Sequence, residues 1–281
     1  MKYLVSGGAV WGVSGAEAAN LTALDPAFGA DMTGPIALGR LEAARRAAAL
    51  MAGAPRVPLA SLTPEMPVAR PGKVLCLGHN YVDHVKEGGY DMPTHPAIFV
   101  RISTSLAPAG APLVRPHVSE RFDYEAELMI VIGERGRGIA REKALDHIFG
   151  YTIFNDGTLR DYQKRSHQWT PGKNFDRTGA VGPVVTDAGE LGLAGALKIG
   201  SRLNGATMQD GTTADMMWKV DEIVSLMSEF ATLEPGDLIA TGTPPGVGNA
   251  RTPPVYMKPG DVIECEIEGI GVCRNPVVQE G

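Results

Sequence analysis

One stretch narrows the folds open to this chain more than any other. Phe122-Asp-Tyr-Glu125-Ala-Glu127-Leu-Met-Ile-Val-Ile132, closed by Gly133, reads as a β-strand, because its last five residues run apolar without a break up to a glycine stop. Side chains alternate across a strand, so Glu125 and Glu127 leave it on the same face. Two adjacent carboxylates repel, and burying them is costly unless a cation compensates. A third acid, Asp156, follows a second β-like run, Tyr151-Thr-Ile-Phe-Asn. Three oxygen ligands with no cysteine nearby suit a hard ion such as Mg²⁺, Mn²⁺ or Ca²⁺, with the other positions left to water and substrate. The plain alternative is an exposed strand face carrying ordinary surface acids.

Neighbouring residues add chemistry to that pattern. Asn155-Asp156-Gly157-Thr158-Leu159-Arg160-Asp161-Tyr162-Gln163 begins at the third acid and then looks helical. Arg160 and Gln163, three apart, share a helix face. Arginine offers a planar fork for a carboxylate, and glutamine offers a donor and an acceptor. Lys173 lies in the loop-like Pro171-Gly-Lys173-Asn-Phe-Asp176, where an ammonium can hold charge that develops on a reacting oxygen. Upstream, the short apolar run Lys73-Val-Leu-Cys-Leu-Gly78 leads into His79-Asn80-Tyr81-Val82-Asp83-His84-Val85-Lys86-Glu87, a short helix with Asn80 or Asp83 as its cap. His84 and Glu87 then share a face, and the carboxylate orients the imidazole as a general base requires. Gly88, Gly89, Pro93 and Pro96 mark residues 81–96 as a lid that orders over a ligand. Taken singly, these are solvated helix faces and a surface lysine.

Taken together, they resemble the fumarylacetoacetate hydrolase family. The resemblance is carried by Gly78-His-Asn-Tyr-Val-Asp-His84-Val-Lys-Glu87, Asp123-Tyr-Glu125-Ala-Glu127-Leu and Asn155-Asp156-Gly-Thr-Leu-Arg160-Asp-Tyr-Gln163. It continues through Gly172-Lys173-Asn-Phe-Asp176 and Leu233-Glu-Pro-Gly-Asp-Leu-Ile-Ala-Thr-Gly-Thr243-Pro-Pro-Gly-Val-Gly248. It runs from about Pro71 to the C-terminus. It implies Glu125, Glu127 and Asp156 as ligands of a Mg²⁺- or Mn²⁺-type ion, with Ca²⁺ able to occupy the same site. It also implies His84 and Glu87 as the lid dyad, Lys173 as the catalytic lysine, and Arg160, Gln163 and Thr243 as substrate-pocket groups. Two departures lie near the pocket mouth. His79 stands where the family often has arginine, and Phe99-Val-Arg101-Ile102 replaces a frequent Phe-x-Lys-Pro. The larger eukaryotic hydrolases use a further aspartate ligand in a region where this chain has Leu75, Cys76 and Leu77, which favours the three-carboxylate site of the smaller members.

The implied fold is α+β and mainly β: a rolled mixed β-sandwich of this family's type over residues 71–281, after a small α/β domain over residues 1–70. A homodimer is implied as well. The 281-residue length suits one large domain and an appendage. Near the N-terminus, a hairpin is expected around Gly7-Gly8. Residues 36–52 read as an amphipathic helix with Leu38, Leu41, Ala44, Ala48 and Met51 as its apolar stripe and Arg40, Arg45 and Arg46 solvated. Five prolines from Pro55 to Pro71 read as an extended linker. Residues 214–232 read as a second helix, with Met217, Val220, Ile223, Val224, Met227 and Phe230 as a core stripe. Pro235-Gly-Asp237 and Pro259-Gly-Asp261 read as matching turns into strands.

Net charge −6 and the absence of a basic stripe argue against nucleic acid as a partner. Gly242, Gly246 and Gly248 lack a P-loop lysine, which excludes nucleotide binding. Cys76, Cys265 and Cys273 form no CxxC and point to a reducing, cytoplasmic setting. No leader pattern and no apolar run of membrane length is evident. The expected activity is metal-dependent hydrolysis of a carbon–carbon bond in a 2,4-dioxo acid of the acylpyruvate kind, releasing pyruvate or a related 2-oxo acid. The alternatives are decarboxylation of oxaloacetate-like acids and isomerisation or hydration of unsaturated 2-oxo dioates.

Overall fold

The computed structural model describes residues 1–89 and 91–281; Tyr90, inside the expected lid, lies outside the described residues. The chain opens with β1 (Lys2–Ser6), β2 (Ala9–Ser14) and β3 (Glu17–Asn20), and β1 and β2 form the hairpin expected around Gly7-Gly8. There follow β4 (Val57–Pro58), β5 (Val74–Gly78), β6 (Ala97–Val100), β7 (Leu106–Pro108), β8 (Leu113–Arg115) and β9 (Phe122–Asp123). Next come β10 (Ala126–Ile132), β11 (Ile148–Asn155), β12 (Thr158–Leu159), β13 (Gly179–Asp187), β14 (Lys198–Leu203) and β15 (Ala206–Thr212). The last strands are β16 (Leu238–Ala240), β17 (Val262–Ile267) and β18 (Gly271–Gln279).

An 11-stranded mixed sheet runs β4-β3-β2-β1-β13-β11-β10-β16-β5-β6, with β7 alongside β13, and a five-stranded sheet runs β15-β14-β17-β18-β8. The architecture is mainly β, as expected. β10 and β11 are buried along their whole length, which explains their near-continuous apolar sequence: a central strand covered on both faces has no polar side to show. The period of two sorts the side chains. Leu128, Ile130 and Ile132 enter a core shared with Ile199, Ile263, Cys265, Ile267 and Cys273 of the second sheet. Met129 and Val131 enter a core on the opposite face, with Tyr3, Val5, Phe28, Met32, Ala43, Ala47 and Met51. Leu4, Val13 and Ala18 enter the first core, so the N-terminal 70 residues share their sheet and both cores with the rest of the chain.

The 36–52 helix is two helices. Gly39, at φ 80°, separates Thr33–Leu38 from Arg40–Met51, a conformation glycine adopts without the Cβ penalty. The buried stripe of the second helix is Ala43, Ala47 and Met51, and Leu41 is 75% exposed. Arg40 is not simply solvated, for it pairs with the buried Asp187 at 3.4 Å. The second expected helix is shorter too, Val220–Phe230. Residues Thr213–Asp215 form a 3-10 turn, and Met216 bridges to Tyr81. Phe230, at the end, is 52% exposed. The two Pro-Gly-Asp turns do lead into β16 and β17. In each, the aspartate accepts a backbone N–H, from Glu234 at 2.7 Å for Asp237 and from Lys258 at 2.8 Å for Asp261.

Candidate metal and acid–base site

The carboxylate pair sits at the mouth of the most buried strand. The run 122–132 is not one strand: β9 pairs with β12, the chain turns at Tyr124 and Glu125, and β10 starts at Ala126. Asp123 imposes this break. Its carboxylate accepts N–H groups from Tyr124, Gly248 and Asn249 at 2.8–2.9 Å and the Arg160 Nε–H at 2.7 Å. Asp156 follows β11, whose last residues pair with Ala126 and Glu127. Oxygens of Glu125, Glu127 and Asp156 thereby come within 4.8 Å of one another, all three residues buried.

Cations surround the three acids. Lys173 Nζ lies 2.7 Å from both Glu125 Oε2 and Asp156 Oδ2. Arg160 Nη2 lies 2.7 Å from Glu125 Oε1, and Arg101 pairs with Asp156. Burial alone would raise the Glu125 carboxyl, but Lys173 and Arg160 outweigh it and hold it at about 2. Burial likewise opposes the charge on Lys173, and Asp156 and Glu125 more than restore it. Glu127 differs. Burial, reinforced by the charges on Asp156 and Glu125, pushes its carboxyl well above the usual range, and its backbone partner is the Gly242 N–H at 2.8 Å. Four buried acids (Asp123, Glu125, Glu127, Asp156) face three buried cations (Arg101, Arg160, Lys173). Once Glu127 gives up its proton in favour of a bound cation, this all-oxygen cluster is one positive charge short, which fits a hard divalent ion.

The lid residues meet this cluster. Tyr81 precedes the helix Val82–Glu87, and no side chain caps it. Asn80, expected as a cap, instead donates to Trp218 O and Thr241 O and accepts the Trp218 N–H, which fastens the helix to the 216–218 segment. His84 Nδ1 lies 2.8 Å from Glu87 Oε1, and the other Glu87 oxygen accepts the Gly246 N–H at 2.9 Å. Gly246 is at φ 102°, and a Cβ there would stand 2.3 Å from Met208 O, so the loop that holds Glu87 needs glycine. His84, Glu125, Glu127, Arg160, Gln163, Lys173 and Thr243 line one cavity of about 40 Å³.

It adjoins a wider surface recess of about 710 Å³, with His79, Phe99, Gln163, Lys164 and Trp169 common to both. His79, at φ 60°, sets its ring edge-on to Trp169 at 5.0 Å and 6.5 Å from His84. Burial and the nearby His84 lower its imidazole to about 4.

Of the site residues singled out from sequence, Glu87 and Asp156 do not line this cavity but contact His84 and Lys173, which do; the others line it, with differences of detail. Arg160–Gln163 is a single helical turn preceded by β12, and Lys173 ends the turn Thr170–Lys173. Gln163 Oε1 accepts from Arg160 Nη1 at 3.0 Å. The Thr243 hydroxyl donates to Ala126 O and accepts from Gln209 Nε2. Arg101, expected near the pocket mouth as a departure from the family pattern, is instead buried against Asp156 and does not line the cavity. Asp123, Gln209 and Trp169 were not singled out, and of these only Asp123 carried a signal, an acid inside a strand-like run two residues before Glu125.

Such a fold, with this cluster at the mouth of its central strands, defines a class. The profile of the fumarylacetoacetate (FAA) hydrolase C-terminal domain matches residues 73–278, and the chain belongs to that family, a family of enzymes. It is 41% identical over 269 residues to the human mitochondrial oxaloacetate tautomerase FAHD2A, covering 94% of this chain and 85% of the relative. Among solved structures it is similar to the maleylpyruvate hydrolase of Sphingobium in complex with manganese(II) ion and pyruvate (31% identity, TM-score 0.84, both chains covered in full). It is also similar to the 2-hydroxyhepta-2,4-diene-1,7-dioate isomerase of Mycobacterium marinum (36% identity, TM-score 0.71, covering 81% and 82%). No helix among the described residues is long and apolar enough to cross a membrane.

Proposed function

We propose that the protein is a divalent-metal-dependent enzyme of 2-oxo acids, and that it hydrolyses a carbon–carbon bond in a 2,4-dioxo acid of the acylpyruvate kind. The observation that carries this reading is that His84, held by Glu87, lines one cavity with Glu125 and Glu127, two members of a cluster of three buried carboxylates. Glu125, Glu127 and Asp156 would hold a Mg²⁺ or Mn²⁺ ion. When bound, such an ion supplies Lewis acidity to the 2-oxo acid end of the substrate. His84, held by Glu87, takes a proton from water as it attacks the distal carbonyl carbon. The C3–C4 bond breaks, one product leaves as a carboxylic acid, and the electron pair stays with the pyruvate fragment until C3 is protonated. Lys173 and Gln163 offset charge on the reacting oxygens, and Arg160 orients the carboxylate end. The homodimer implied by the family resemblance and the cytoplasmic setting implied by the cysteines belong to this same proposal.

A second reading is tautomerisation of an oxaloacetate-type acid, favoured by the 41% identity to a protein of that name across most of both chains. There His84 would move a proton at C3 instead of activating water. Pyruvate release from a panel of acylpyruvates, beside enol–keto conversion of oxaloacetate, separates the two, each run with Mn²⁺ and with chelator. Cleavage of a dioxo acid faster than oxaloacetate conversion supports the first reading, and the reverse supports the second. Full turnover in excess chelator rules out both.

A further inference from the structure

Arg101 lies at the end of β6, 55 residues before the acid it meets. It is buried, and all five of its N–H donors have acceptors. Nε donates to Ser105 Oγ at 3.1 Å, and one Nη1–H reaches Gly157 O at 3.2 Å. Nη2 serves Ser105 O at 3.3 Å and Thr178 Oγ1 at 2.8 Å. The remaining donor, on Nη1, takes Asp156 Oδ1. The slot is shaped for this group. Phe154 lies under the guanidinium at 5.4 Å, and a Cβ on Gly179 would come within 2.8 Å of its Cζ. From the next turn, the Asn174 amide clamps the same strand end, donating to Val100 O at 3.0 Å and accepting the Ile102 N–H at 2.7 Å.

The two cations on Asp156 divide its oxygens. Lys173 holds Oδ2, shares itself with Glu125 and lines the cavity, so it is within reach of whatever enters. Arg101 does not line the cavity and pairs with Asp156 alone among the three acids. A carboxylate fixed through one oxygen by a buried, fully satisfied guanidinium has its other oxygen aimed. A lysine, with three donors on one nitrogen, cannot serve five acceptors spread around a plane.

We propose that Arg101 is the positioning residue of the carboxylate cluster, locking Asp156 through Oδ1 so that Oδ2 faces the shared centre with Glu125 and Glu127. This rests on the metal-binding reading above, and its test does not depend on turnover. Mn²⁺ alone is titrated into metal-free protein by calorimetry, with the electron paramagnetic resonance of bound Mn²⁺ as a second readout. The proteins compared are wild type, Arg101→Lys, Asp156→Asn and the double variant. Arg101→Lys is expected to weaken Mn²⁺ binding by about 10–100-fold, the usual effect of losing a partner that orients a ligand. In the Asp156→Asn background the same change is expected to cost less than about threefold, because the two residues act as a unit. If Arg101→Lys proves unfolded by circular dichroism, Thr178→Val replaces it. That variant removes one acceptor of the guanidinium and keeps its charge, with a loss of about 2–5-fold expected. A folded Arg101→Lys (or Thr178→Val in its place) that binds Mn²⁺ like wild type overturns the proposal, as does an equal loss with and without Asp156. Wild type that fails to bind Mn²⁺ overturns the metal reading itself.

Discussion

The site has two walls, and they are built in opposite ways. On one, Glu125, Glu127 and Asp156 sit at the ends of β10 and β11, strands with no exposed residue, and each acid is tied to a cation or a backbone N–H. On the other, His84 and Glu87 ride on a six-residue helix whose one buried residue is Val85, with Asp83 and Lys86 turned to solvent. Beyond the dyad's own contact, Glu87 is held among the described residues by a single N–H, that of Gly246. A cluster of like charges must be pre-assembled by a rigid frame, since its members repel until compensated. A wall that admits substrate has to open, and few buried contacts are what allow that at low cost.

The largest break in this comparison comes from the charged wall. Asp156→Ala is expected to lower any turnover by at least about 10³-fold, the scale of losing a group that organises charge at the reacting centre. It should also remove the stabilisation by metal. For wild type, Mn²⁺ at about 100 times its Kd adds about 2.7 kcal/mol by mass action, read as a rise in Tm. An Asp156→Ala protein whose Tm still rises with Mn²⁺ would show that the cluster is not the binding site.

On the lid wall the expected losses are in rate and not in metal affinity. His84→Ala should slow dioxo-acid cleavage by about 10²–10⁴-fold, and decarboxylation of oxaloacetate, which needs no base for water, should suffer less. Gly246→Ala is the sharper test of the two-wall picture. Its Cβ has no room beside Met208 O, so the N–H that holds Glu87 must move. Faster amide exchange across residues 82–89 together with unchanged Mn²⁺ affinity supports independent walls; a parallel loss of Mn²⁺ affinity joins them into one unit.

His79 marks where the walls meet. Its imidazole, with an ordinary value of 6.5, is lowered to about 4 in the fold by burial and by His84. The unfolded chain therefore binds more protons than the folded one between those values, and stability falls as pH drops from 6.5 towards 4. His79→Asn, which suits the left-handed backbone there, should flatten that part of the Tm–pH curve. An unchanged slope would mean that other groups set the acid limb.

The carboxylate wall was legible because its information is local. A strand's period of two predicted Glu125 and Glu127 on one face, and the two do meet although β10 starts only at Ala126 and leaves Glu125 outside it; Asp156 closed the neighbouring run. The lid dyad was legible from helical spacing of three. What frames them was not: Arg101 meets Asp156 from 55 residues away, Asp123 meets Arg160 from 37, and Gln209 meets Ala126 from 83. No window of sequence contains those pairs. The 36–52 helix failed for a different reason. With alanine at 43, 44, 47 and 48, two adjacent stripes are equally apolar, and periodicity cannot choose between them. Tertiary contact decides: Met51 packs so closely on Gly12 that a Cβ there would come 2.4 Å from its Sδ, and that turns Ala43 and Ala47 inward and Leu41 out.

The smallest expected effect follows from that choice and serves as the control for both walls. Leu41→Ala removes the residue that an amphipathic reading places in the core, yet at 75% exposure it should alter stability by no more than about 0.5 kcal/mol. Ala47→Leu, one turn and a half further along and fully buried, should cost about 1–3 kcal/mol by overpacking. Denaturant midpoints measure both. Neither change should alter Mn²⁺ affinity or exchange at residues 82–89, because this helix packs on β2, Met51 against Gly12, and none of its residues lines the cavity. A Leu41→Ala variant as damaged as Ala47→Leu would mean that the helix sits on its other stripe in solution, and the partition of the core between the two faces of β10 would have to be redrawn.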